Sequence, residues 1–141
     1  MMREIITVFL QLSLWLWFLG CTVTYKTKRF LLVEGMGIKS AEFIMLVLYS
    51  VSLLCFYLFD FGKWILFGVL TLWAAVQFLC HWRFTIFGAG EKKLIGYNEC
   101  FAHTVHLFPA SKTRIVPDLY HIVLHALILL NLMMSVFADS L

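Results

Sequence analysis

The chain has 141 residues, of which 62% are hydrophobic and 13% charged, and its mean hydropathy is +0.92. Soluble domains average roughly 45–50% apolar and roughly 25% charged residues, so a soluble globular domain, a disordered chain and a disulfide scaffold are all excluded, and a lipid bilayer is the expected surrounding. The net charge of +3, from 11 basic and 8 acidic residues, is too small for a nucleic-acid footprint.

A helix needs about 20 mostly apolar residues to cross the bilayer core. Four stretches meet that length or nearly so. The first runs from Ile5 to Val23 with Gln11 as its strongly polar residue, and the second from Ala41 to Phe59 with Glu42 at its start. The third runs from Trp64 to Trp82 and carries Gln77 and His81; it can extend through Phe84 and Ile86. The fourth runs from Asp118 to Phe137 with His121, His125 and Asn131 inside it. The expected fold is all-α: four transmembrane helices in a single domain, plus one interfacial amphipathic helix.

The connections differ in kind. Asp60 to Lys63 is a tight turn, which makes helices two and three an antiparallel hairpin. Tyr25 to Ser40 is a basic loop, and Arg83 to Val116 is long. Nine Lys and Arg fall in these first and third connections, against Arg3 and Lys63 on the other side. The positive-inside rule then puts those connections in the cytoplasm and both termini outside. Pro117 suits the first helical position of the fourth span, and Asp118 suits the positive end of its dipole.

Within the third connection, residues 94–108 read LIGYNECFAHTVHLF. At 100° per residue, Leu94, Tyr97, Phe101, Val105 and Phe108 gather on one face, and Glu99, His103 and His106 on the opposite one. Pro109 ends the pattern. Before it, Gly88 to Lys93 forms a basic glycine-containing turn that lacks P-loop spacing and suits contact with anionic lipid headgroups. The cysteines, Cys21, Cys55, Cys80 and Cys100, match no zinc-ribbon or CxxC spacing and read as small packing residues. Trp15, Trp17 and Trp73 fall in mid-helix, where packing or lipid contact is expected.

All five histidines lie in the second half of the chain. Glu99, His103 and His106 are spaced i, i+4, i+7; Asp118, His121 and His125 are spaced i, i+3, i+7. Each set offers one carboxylate and two imidazoles along a helical face. Such ligands suit zinc, iron or manganese, and helical bundles build metal sites this way. His81 and His125 are the natural axial pair were haem bound. Ionisable residues inside membrane helices are costly and usually functional, and His125, deepest in the fourth span, is the foremost candidate. The competing expectation is that these histidines are structural, His103 and His106 simply facing water.

Three functions remain open. One is a homo-oligomeric channel or transporter, its path lined by Gln11, Glu42, Gln77 and Asn131. Another is a metal-dependent membrane enzyme acting on a lipid or isoprenoid-like substrate through His125, His121, His103, Glu99 and Asp118. The third is an accessory protein whose first helix docks a membrane partner.

Overall fold

A computed structural model describes residues 2–137. Helix α1 spans Met2–Leu19, α2 Ala41–Leu58, α3 Gly62–Gln77 and α6 Leu119–Phe137. A π turn over Phe78–Trp82 continues α3 into α4, Arg83–Phe87, so the third apolar rod runs unbroken from Gly62 to Phe87. A shorter helix, α5, spans Glu91–Cys100. Four rods are long and apolar enough to cross a membrane, as the hydropathy pattern predicts.

The rods pack as a four-cornered up-and-down bundle. Helices α1 and α3 each adjoin both α2 and α6. Trp73 fills the centre, with its ring 4.3 Å from that of Phe18 and 5.5 Å from that of Tyr49. Without a hydrophobic force between helices in lipid, close packing and interhelical hydrogen bonds must supply the cohesion. The α2–α3 corner shows the first: a Cβ on Gly62 would collide with the Cys55 carbonyl, so only glycine lets the two backbones approach there. The α1–α6 corner shows the second. The Trp17 indole donates to the Tyr120 carbonyl at 3.1 Å, and the Tyr120 hydroxyl donates back to the Trp17 carbonyl at 2.7 Å. Trp15 donates to Ser50 at 2.9 Å. The mid-helix tryptophans are therefore packing residues. The outer surface is apolar, with Phe9, Ile44 and Trp64 each about two-thirds exposed, as lipid contact requires.

Helix starts follow their local chemistry. The Ser40 hydroxyl accepts from the Phe43 amide at 3.1 Å and caps α2. Asp118 does the same for α6, accepting from the His121 amide at 3.0 Å. Asp118 is thus the cap of the fourth span and lies just outside it, and Pro117 sits one residue further out. Gly88, at φ +89°, stops α4 in a conformation that side chains disfavour.

Two expectations change at the basic end of the bundle. The first connection folds into a short antiparallel hairpin, β1 Tyr25–Lys26 with β2 Leu31–Val33, closed by a turn in which the Thr27 amide donates to the Phe30 carbonyl at 2.9 Å. The amphipathic helix is shorter than residues 94–108 and begins earlier, at Glu91. After Cys100 the backbone turns. Thr104 forms a bridge with Leu31, and the Val105 carbonyl accepts from the Leu119 amide at 2.8 Å. Those partners tie the segment to β2 and to the start of α6, and β-branched Thr104 and Val105 favour the extended form. The predicted apolar face survives in part: Leu94 and Tyr97 are buried against Ile115, with Phe101 alongside.

Candidate functional site

Capping brings α6 its first chemistry. Asp118 is 1% exposed. Its Oδ1 atom takes both the His121 amide at 3.0 Å and the His121 Nδ1 at 2.6 Å. One carboxylate oxygen therefore starts the helix and orients an imidazole one turn later. Burial pushes the Asp118 carboxyl up, but the hydrogen bond and charge of His121 outweigh it and hold the group below the usual carboxylate range. Nδ1 held on a carboxylate leaves Nε2 as the nitrogen free to exchange a proton. No hydrogen bond to Nε2 forms among the described residues.

The π turn brings a second imidazole. The His81 ring centroid lies 4.3 Å from that of His121, with the planes tilted by 34°. His81 Nδ1 shares a hydrogen bond with the Tyr97 hydroxyl at 3.2 Å. Burial, reinforced by the nearby Asp118 charge, pushes the Tyr97 hydroxyl well up, so it stays protonated and able to donate. Phe101 closes the group, its ring 5.0 Å from His121. Tyr97–His81 and His121–Asp118 are thus two hydrogen-bonded pairs whose imidazole rings meet, linking α5 through the third rod to α6. One turn deeper, the His125 ring lies 5.3 Å from Trp82, and its Nδ1 is a buried atom with no hydrogen-bond partner among the described residues.

A cavity of about 860 Å³ adjoins these pairs. His81, Tyr97 and Phe101 line its inner wall; Gly90, Glu91, Lys92, Lys93 and Gly96 of the α5 start line its rim, with Cys80 and Cys100 beside them. Its size falls within the range of small-molecule sites. Cys80 and Cys100 are exposed thiols. Cys21 is buried against the Tyr120 hydroxyl at 3.2 Å, and burial pushes its thiol up to about 11, so it is a packing group.

The six residues predicted to converge separate into two groups. Asp118, His121 and His125 do share one stretch of α6. Glu99, His103 and His106 do not share a helical face, because α5 ends at Cys100. All three are exposed, and His106 Nδ1 bonds the nearby Thr104 carbonyl at 3.0 Å. Among the described residues no three His, Cys, Asp or Glu are arranged to hold a metal ion. The predicted haem pair also turns to different neighbours: His81 to Tyr97 and His121, His125 to Trp82. Tyr97 was visible in the sequence as part of an apolar face; its hydroxyl role depends on tertiary contact and left no signal. Of the four residues suited to line a shared channel, two are tied up within one chain. Tyr57 donates to the Gln11 side chain, and the Asn131 amide donates to the Leu10 and Leu127 carbonyls at 3.0 and 2.8 Å.

Comparison with family models, with curated proteins and with solved structures gave no match.

Proposed function

We propose that the protein is a membrane-embedded enzyme that performs acid–base chemistry on a lipid- or isoprenoid-like substrate. The observation that carries this reading is the buried Asp118–His121 pair at 2.6 Å, in ring contact with two residues that line a cavity. Asp118 Oδ1 holds His121 Nδ1 and so orients the imidazole; His121 Nε2 takes a proton from a hydroxyl or water. His81, bonded to the Tyr97 hydroxyl, packs its ring against His121 and joins the pair to the cavity wall. The pair lies where the fourth span begins, and membranes penalise stray ionisable groups. The channel reading has less support, since Gln11 and Asn131 already spend their polar groups inside the bundle. By the positive-inside rule the site faces the cytoplasm and both termini lie outside.

The test is a lipidomic turnover assay. Detergent-purified protein is incubated with a total lipid and polyprenol extract, and the products are followed by mass spectrometry. Wild type should convert at least one species that His121→Gln leaves untouched. Identical lipid profiles for the two proteins, with both shown to be folded by circular dichroism, would sink the reading.

A further inference from the structure

The cavity rim has a chemistry that the two hydrogen-bonded pairs do not use. Lys92 and Lys93 both line it, and Glu91 is the one carboxylate among its lining residues. Lys93 is placed by its neighbour: its Nζ lies 5.3 Å from the centroid of the Phe84 ring. The first-turn amides of α5 add to the positive field, since no side chain caps that helix. The turn carrying Lys112 and Arg114 is tied to the chain just before that rim, through the Ala89 amide donating to the Thr113 carbonyl at 2.9 Å. Deeper in, the wall becomes aromatic at Tyr97 and Phe101. Gly90 and Gly96 put no side chain into this space, and a Cβ built on either meets no atom within 4 Å. A basic mouth over an aromatic wall, at the end of a membrane bundle, fits one kind of occupant.

We infer that this cavity binds a phosphate group carried on an amphiphile, with Lys92 and Lys93 on the phosphate and the tail running toward Tyr97 and Phe101. The inference rests on the enzymatic reading only for what happens next; binding stands or falls separately. A phosphate offers two or more anionic oxygens to the two ammonium groups and the helix amides. A zwitterionic headgroup brings its own cation, which the two lysines repel.

The experiment uses full-length protein in maltoside micelles and a phosphatidic acid fluorescently labelled on its acyl chain. Phosphatidylcholine and inorganic phosphate serve as competitors. The expected result is saturable binding that phosphatidylcholine does not displace. The Lys92→Ala/Lys93→Ala variant should bind about 30-fold more weakly, the effect of two basic groups near a headgroup. Gly96→Leu should abolish binding while the helix stays folded, because leucine is a better helix former than glycine and its side chain enters open space. Displacement by inorganic phosphate would support the phosphate site and identify free phosphate as a sufficient ligand; no displacement would support the site and assign it to the lipid. Equal binding of phosphatidylcholine, or unchanged binding by the double lysine variant, would overturn the inference. His121→Gln should bind as wild type does. Intact binding by the wild-type protein with no lipid turnover by it would keep this inference and remove the enzymatic reading.

Discussion

Asp118 can be tested through its two roles, because one substitution removes both and another removes one. Asp118→Ala deletes the cap of α6 and the partner of His121. Losing a cap costs about 1 kcal/mol, and losing a hydrogen bond to a charged group costs about 1.5–3 kcal/mol. Both act through Oδ1, so the losses overlap, and about 2–3 kcal/mol is expected in total. Asp118→Asn keeps a good capping side chain and loses only the charge, so about 1 kcal/mol is expected. The assay is detergent-driven unfolding of purified protein at neutral pH, followed by circular dichroism. The sign of the pH effect follows from the lowered Asp118 carboxyl. The ionised form is favoured in the folded state, so its contribution is present above the ordinary value of 3.8 and is lost as pH falls through the lower folded value. Wild type and Asp118→Asn should therefore converge in stability on acidification. Equal stability of Asp118→Ala and wild type at neutral pH, or a gap that widens in acid, would refute the assignment.

Gly62→Ala should destabilise the protein by about 2–3 kcal/mol in the same unfolding assay, because its Cβ meets the Cys55 carbonyl, a backbone group that cannot swing aside. Asn131→Leu should cost about 1 kcal/mol, the usual worth of an interhelical hydrogen bond in a membrane protein. His103→Ala and His106→Ala should stay within about 0.5 kcal/mol of wild type and leave lipid turnover unchanged, since both side chains are exposed. Deleting Leu79 should close the π turn into an α turn; double-mutant cycles should then find that one of the His81–His121 and Trp82–His125 couplings has fallen close to zero.

The spans were legible because hydropathy is a property of each segment alone. Their limits moved by a few residues: the first ends at Leu19, before a turn, and the third extends through the π turn to Phe87. The Asp118–His121 pair was legible from its i, i+3 spacing, which local helical geometry enforces. Features that depend on distant partners were not legible. The hairpin rests on strands of two and three residues, too short to show alternation. The amphipathic pattern past Cys100 was genuine as a pattern, but Thr104 and Val105 found backbone partners in Leu31 and Leu119. Helical periodicity cannot foresee that competition.

The same limit explains why His81 could be marked as costly without being given its partner. His81 and Trp82 are consecutive, and on a regular α-helix consecutive residues point about 100° apart and do not face one neighbour. Yet His81 meets His121 and Trp82 meets His125, two residues a turn apart on α6. The π turn reconciles these facts. Its wider ring takes in an extra residue and narrows the angular step between successive side chains, so two neighbours in sequence can reach the same helix. Such turns are rare and often found at functional sites. Here the π turn sets His81 against His121 and Tyr97 at the cavity wall. The irregularity in the third rod therefore sets His81 and Trp82 against the two imidazoles of α6 and joins the capped start of that helix to Tyr97 and the cavity wall.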